Sequence, residues 1–169
     1  MKNMLFIMNP KAGRTTLKNS LVDVLEVFCN NDYAVRTYLT KSADDAERIV
    51  QEEGANYDVI VCAGGDGTLG NTVTGYMKSG IRVPLGYIPC GSTNDFARSM
   101  DIPRETVEAA EMIVKAEPFS IDIGSLNDKN FVYVAAFGMF SDTSYATPQN
   151  MKNIFGHAAY VLQGIKSLA

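Results

Sequence analysis

The fold is decided by the stretch Val59-Ile60-Val61-Cys62-Ala63-Gly64-Gly65-Asp66-Gly67-Thr68-Leu69. Its first five residues are apolar and rich in β-branched side chains, which is typical of a parallel strand buried on both faces. The glycines that follow let the backbone turn sharply and come close to a ligand, because no Cβ stands in the way. Main-chain N–H groups of such a turn, followed by a helix N-terminus, form a cradle for anions. The stretch therefore predicts a polyphosphate site.

Composition limits the classes of protein to which the chain can belong. A length of 169 residues, with 46% hydrophobic and 20% charged residues, is typical of a soluble globular protein of about one domain. The net charge of −4 argues against broad nucleic-acid binding, which usually leaves a basic surface. No apolar run approaches the ~20 residues that a membrane span requires.

Cysteine and histidine are too sparse for a metal site or a catalytic triad. Cys29, Cys62 and Cys90 are widely spaced and odd in number, so neither a CxxC metal pair nor a disulfide framework is expected. They are predicted to be reduced structural thiols. His157 is the only histidine, which argues against a Ser-His-Asp triad and a His-rich metal centre. No metal site is predicted within this chain.

Short apolar strands alternate with helical patterns as far as residue 116. Strands are predicted at residues 5–8, 33–39, 59–63 and 85–88. Helices are predicted over 15–30, after Ser42 as N-cap, after the glycine turn with Leu69, Val73 and Met77 on one face, and from Pro103 to about 116. This alternation specifies an α/β fold in which helices flank a parallel sheet.

Three polar loops leave the ends of predicted strands, at Asn9, Gly64 and Gly91. Ligands of parallel α/β folds bind at the carboxyl ends of the strands. The three loops are therefore expected to meet in one binding site.

The pattern changes after Glu117. Residues 119–123 and 131–137 read as an antiparallel hairpin around a turn at 127–130, and a helical pattern follows at 156–169. A lone hairpin is marginal in water and must pair with further strands. We predict an α/β domain over residues 1–117, and over residues 118–169 the beginning of a β-rich second domain that is incomplete here.

Two common phosphate-binding motifs match the glycine turn less well. Residues 65–70 fit GxGxxG, but a dinucleotide fold needs an acid about 20 residues further on, where residues 88–92 have none. Residues 65–72 imitate a P-loop, but Asn71 stands where the P-loop lysine is required.

The better match is Asn9-Pro10, then Gly64-Gly65-Asp66-Gly67-Thr68, then Pro89-Cys90-Gly91-Ser92-Thr93-Asn94-Asp95-Phe96-Ala97, in that order. Together with the later Asp122-Ile123-Gly124, these motifs resemble the diacylglycerol kinase catalytic domain family, and most closely its soluble bacterial lipid kinases of the B type. The resemblance covers nearly the whole chain and implies the nucleotide-binding fold that NAD kinases share with diacylglycerol kinases.

The resemblance implies an ATP-dependent, Mg²⁺-requiring kinase that converts diacylglycerol, or a related lipid, to phosphatidic acid. Asp66 is expected to position phosphate and Mg²⁺, and Asn94 and Asp95 to bind the acceptor. The residues expected to bind ATP are Asn9, Pro10, Lys11, Ala12, Gly13, Thr40, Gly65, Asp66, Gly67, Thr68, Leu69, Gly70, Asn71 and Ser92.

The chain departs from the family pattern at two places. Gly70 and Asn71 replace the usual Asn-Glu pair after the glycine turn. The family's catalytic base and structural Mg²⁺ ligands are expected beyond residue 169, so residues 1–169 alone are expected to be inactive as a kinase.

Two other functions remain open. The loops also fit an NAD kinase-like enzyme that phosphorylates a soluble alcohol, or a catalytically inactive nucleotide-binding regulatory module. For the leading reading, the expected partners are the lipid, a membrane surface contacted peripherally and a second copy of the chain as a homodimer, with no nucleic acid. The expected location is the cytoplasm, at the inner face of the membrane.

Overall fold

The computed structural model describes residues 1–12, 16–126 and 129–132. Four parallel strands form the central sheet: β1 (Lys2–Met8), β2 (Tyr33–Leu39), β3 (Val59–Gly64) and β4 (Leu85–Pro89). The helices are α1 (Thr16–Asn30), α2 (Asp45–Glu53), α3 (Asp66–Ser79), α4 (Asp95–Ser99) and α5 (Thr106–Lys115), with a 3-10 turn at Gly54–Asn56. The predicted parallel α/β fold is confirmed.

The sheet has the strand order β2-β1-β3-β4, so β1 and β3 lie side by side at its centre. The chain leaves β1 towards one edge, then returns past β1 to form β3 and β4 on the other side. Crossovers between parallel strands are right-handed as a rule. A helix that connects strands in one direction along the sheet therefore lies on one face, and a helix that connects strands in the other direction lies on the other face. This reversal explains why helices cover both faces of the sheet.

Alternate side chains of each strand enter different cores, as the period of two in a strand requires. On one face Met4 and Phe6 pack with α1 and α5, and the rings of Phe6 and Phe28 meet edge-on at 5.6 Å. On the other face Leu5 and Ile7 pack against α2. A third cluster lies between the sheet and the helices α3 and α4, and it is made of Cys62, Leu69, Val73, Tyr87 and Ala97.

Two details of the predicted helices are wrong. Ser42 does not cap α2, because the helix begins at Asp45 and the Asp45 carboxylate accepts the amides of Lys41 and Ser42 instead. Met77 is 47% exposed, although Leu69 and Val73 are buried, because at that turn Gly75 meets the Glu47 backbone and Tyr76 packs on the second cluster instead.

All three cysteines are free thiols in the structure. Cys62 and Cys90 are buried, and burial raises the pKa of each thiol to about 12, which keeps them protonated. Cys29 is exposed on α1.

A short antiparallel hairpin follows the helices, with strands β5 (Gly124–Leu126) and β6 (Lys129–Phe131). A hairpin is present in this region, but its strands are not the predicted ones: residues 119–123 are not in a strand, and residues 129 and 130, predicted as turn, belong to β6. Ile123 and Val132 pack against the third core cluster. The rest of the second predicted strand, the helix predicted at 156–169 and His157 lie outside the described residues. Within the described part of the chain, no helix is long and apolar enough to cross a membrane.

Candidate functional site

The loops after β1 and β3 meet where the chain reverses direction in the sheet. In open parallel sheets, ligands bind in the crevice that forms at such a switch point, outside the carboxyl ends of the strands. Here the Asn9 Nδ2 donates to Thr68 Oγ1 at 3.0 Å, across the switch point. The Asn9 Oδ1 accepts the amide of Lys11 at 2.9 Å, which folds the first loop back over the strand end. The two loops are thus joined by side-chain hydrogen bonds.

The glycine turn leads directly into α3. Gly65 lies at the N-cap in an extended conformation, and its carbonyl accepts the amides of Thr68 at 2.9 Å and Leu69 at 3.1 Å. The first N–H groups of a helix have no partner within it, so the amides of Asp66 and Gly67 are left for another acceptor. A Cβ on Gly67 would meet nothing within 4 Å. The start of α3 therefore presents main-chain donors to open space, as an anion cradle requires.

The loop after β4 lies directly against the glycine turn. The Cys90 amide donates to the Gly64 carbonyl at 2.7 Å. A Cβ on Gly91 would lie 2.5 Å from the Gly65 Cα, a distance that real Cβ atoms do not reach. Glycine is needed at Gly91 because two backbones touch there.

Asp66 connects the glycine turn to α4. Its Oδ2 accepts the amide of Asp95 at 3.2 Å and its Oδ1 accepts the amide of Phe96 at 3.3 Å. These are the first two residues of α4, whose amides would otherwise lack partners. The Asp66 carboxylate therefore holds the short helix that follows the third loop, in addition to facing the start of its own helix.

Asn94 is buried and shapes the third loop from within. Its Oδ1 accepts the Gly91 amide at 2.8 Å, and its Nδ2 donates to the Gly91 carbonyl at 2.9 Å. The backbone of Asn94 is left-handed, with a φ of 54°, which asparagine tolerates better than most residues. These contacts assign the Asn94 side chain to the shape of the loop.

Tyr87 is a site residue that the sequence analysis missed. Its hydroxyl lies 3.1 Å from the Gly64 carbonyl oxygen and 3.4 Å from Asn94 Oδ1, so it bridges the second and third loops. Burial, and next the negative charge of Asp66, raise the pKa of Tyr87, which keeps the phenol protonated as a donor. A tyrosine inside a buried strand signals such a bridge, since its hydroxyl needs a partner there.

The loop after β2, residues 40–44, lies next to the end of β1 at the edge of the sheet. Thr40 is buried, and its amide donates to the Met8 carbonyl at 2.9 Å, immediately before Asn9. The Asp45 Oδ2 accepts the amides of Lys41 at 2.6 Å and Ser42 at 3.1 Å. The Lys41 amide in particular lowers the pKa of Asp45 from 3.8 to about 2.

The Asp45 bonds predict a pH-dependent stability. A lowered native pKa means that the carboxylate stabilises the fold above about pH 3.8 and that this contribution is lost as the pH falls towards 2. Asp45→Ala is expected to lower the melting temperature at pH 7, and the difference from the unchanged protein is expected to shrink between pH 4 and 2. Thermal unfolding of both proteins across this pH range measures the difference in melting temperature. The effects of all other acidic groups cancel in this difference, because both proteins contain them. A difference that stays constant would contradict the assignment.

The remaining predicted site residues have distinct environments. Pro10 and Lys11 lie in the first loop and Ser92 is exposed in the third, while Ala12 packs partly on the core. Leu69 is a core residue, and its amide donates to the Gly65 carbonyl. Gly70 has open space where a Cβ would stand, and Gly13 lies outside the described residues. Across residues 1–12, 16–126 and 129–132 no three acidic, cysteine or histidine side chains cluster as a metal site.

The fold and these contacts define a class: an α/β domain with a parallel sheet and glycine-rich loops gathered at the carboxyl edge of its central strands. The family model of the diacylglycerol kinase catalytic domain matches residues 3–126. The chain belongs to this family.

Individual relatives agree with the family match. The chain is 38% identical over 170 residues to a diacylglycerol kinase of Bacillus subtilis, covering 99% of this chain and 56% of that protein. It is 37% identical to one of Staphylococcus aureus, covering 99% of this chain and 53% of that protein. The solved structure of a diacylglycerol kinase from Bacillus anthracis superposes with a TM-score of 0.71 at 32% identity, covering 77% of this chain and 45% of that one. The chain spans about half the length of the curated relatives it matches.

Proposed function

We propose that this chain is the nucleotide-binding part of an ATP-dependent lipid kinase that phosphorylates the hydroxyl of diacylglycerol, or of a related lipid, to give phosphatidic acid. The observation that carries the proposal is the meeting of three glycine- and asparagine-bearing loops at one switch point. The relatives' names supply the acceptor: each is a diacylglycerol kinase.

The triphosphate of ATP is assigned to the crevice between the first two loops. Phosphoryl transfer asks the protein mainly to position groups and to stabilise charge. The amides of Asp66 and Gly67 supply donors for phosphate oxygens, and Lys11 supplies a positive charge from the first loop. Thr40 and Ser92 flank the crevice on its two sides, so either can contact the nucleoside.

Asp66 is the described residue that fits Mg²⁺. The ion prefers oxygen ligands, and a carboxylate has about four lone-pair positions, of which the α4 amides take two. When bound, Mg²⁺ would neutralise the negative charge of the phosphates.

The lipid is assigned to the far side of the third loop. Asp95, the first residue of α4, is proposed to face the acceptor together with Asn94; its carboxylate lies 3.9 Å from the Arg98 guanidinium. Residues 118–169 are proposed to begin the lipid-binding domain, and the catalytic base is proposed to lie outside this chain. A lipid acceptor implies peripheral contact with the inner face of the membrane.

The proposal is tested by phosphate transfer from γ-³²P-labelled ATP in the enzyme that carries this chain. Label is expected in phosphatidic acid when diacylglycerol is supplied in mixed micelles, and none is expected in NADP when NAD is supplied. Residues 1–169 alone are expected to bind ATP without transferring phosphate. Transfer to NAD instead of diacylglycerol would support the alternative kinase, and the absence of ATP binding would reject both.

A further inference from the structure

The loop over residues 40–44 is attached to α3 by one side chain. Asn71 Nδ2 donates to the Ala43 carbonyl at 2.6 Å, between residues 28 positions apart. At its start, the same loop is attached to β1 through the Thr40 amide, and at its end to α2 through the Asp45 carboxylate. The Asn71 hydrogen bond joins the loop to α3, the helix that follows the glycine turn.

We propose that Asn71 is a positioning residue of the nucleotide site, which acts by holding the loop over 40–44 against α3. Residues four apart lie on the same face of a helix, so Asn71 lies one turn after Gly67 on the same face of α3. The Gly67 amide belongs to the proposed phosphate cradle. The loop that Asn71 holds therefore borders the cradle on the side of Thr40. The inference rests on the proposed function and adds to it the contact that fixes the loop over residues 40–44.

Other contacts between α2 and α3 hold the helices together but not the loop. A Cβ on Gly75 would lie 2.4 Å from the Glu47 carbonyl oxygen, so the helix backbones touch there. Lys78 Nζ pairs with Glu47 Oε1 at 2.7 Å, seven residues further along α3 than Asn71. At 1.5 Å per residue this pair lies about 10 Å from Asn71 along the helix axis. It is a side-chain contact of α3 with α2, remote from the loop, and it therefore serves as the matched control.

The experiment compares Asn71→Ala with Lys78→Met in the otherwise unchanged protein. Binding of ADP with Mg²⁺ is measured by calorimetry, and amide hydrogen exchange is followed over residues 40–44. Asn71→Ala is expected to weaken ADP binding about three- to tenfold, the range that one net hydrogen bond accounts for, and to speed exchange in the loop. Lys78→Met is expected to lower the melting temperature while leaving ADP affinity and loop exchange unchanged.

Unchanged ADP affinity in Asn71→Ala, or an equal loss in Lys78→Met, would overturn the positioning role. Unchanged exchange over residues 40–44 would overturn it as well, even where the affinity falls. A wild-type protein that binds no ADP would count against the proposed function itself, and the exchange rates would still decide whether Asn71 holds the loop.

Discussion

Replacement of Asp66 by alanine is expected to reduce phosphate transfer by about 100-fold or more, and to destabilise the fold by about 1 kcal/mol. The destabilisation follows from the two α4 amides that lose their acceptor. The loss of transfer follows from the missing carboxylate at the start of α3, where the phosphates and Mg²⁺ are proposed to arrive. Turnover of labelled ATP with diacylglycerol and thermal unfolding measure the two effects separately.

Asp66→Asn separates the two roles of this residue. The asparagine side chain keeps one oxygen acceptor for α4 but carries no charge. One of the two α4 amides then faces the NH2 group, so we expect this variant to regain part of the stability while transfer stays about 100-fold low. Transfer that recovers together with stability would show that Asp66 acts only by holding α4, and the metal-positioning role would be withdrawn.

Replacement of Gly67 by alanine is expected to stabilise the free protein and to weaken nucleotide binding. Gly67 lies in the first turn of α3 with nothing within 4 Å of an added Cβ, so the fold gains helix propensity of about 0.5–1 kcal/mol. A phosphate held by the Gly67 amide would meet the new methyl group, and overpacking of this kind costs about 1–3 kcal/mol, or about 5- to 150-fold in affinity. Thermal unfolding and ADP titration measure the two opposite changes.

Val22→Ala is the matched control for Gly67→Ala. Val22 is 68% exposed on α1, so its replacement also raises helix propensity without filling space in the site. It is expected to increase stability slightly with no change in ADP affinity. If Gly67→Ala is more stable and binds ADP as tightly as the unchanged protein, then no phosphate lies at Gly67 and the cradle is wrongly placed.

Local patterns in the sequence were sufficient for the elements of the sheet. The β2 strand runs over Tyr33–Leu39, as predicted, and β3 begins at Val59, because apolar and β-branched runs between turn residues leave few alternatives. The alternation of strands and helices, which is typical of a parallel sheet, was enough to predict that the loops at Asn9, Gly64 and Gly91 lie at one edge.

Errors in the sequence analysis occurred where a residue had more than one partner to choose from. Ser42 has the local pattern of an N-cap, yet α2 begins only at Asp45, and the Ser42 amide donates to the Asp45 carboxylate. For Asn94, the acceptor role implied by the resemblance stays a prediction, and the structure adds that its side-chain amide bonds to Gly91 on both sides. Tyr87 was read only as part of a strand, since its hydroxyl partners come from two other loops.

The sequence by itself determined the α/β class, the four strands and the edge at which the loops gather, because hydrophobic period and glycine placement act over a few residues. Only the tertiary structure decided that Asp66 holds α4, that Asn71 holds the loop after β2, and that Gly65 and Gly91 touch. These partners are separated by 26 to 30 positions in the chain. No local pattern encodes such pairs, because their distance is set by how the strands order themselves around β1.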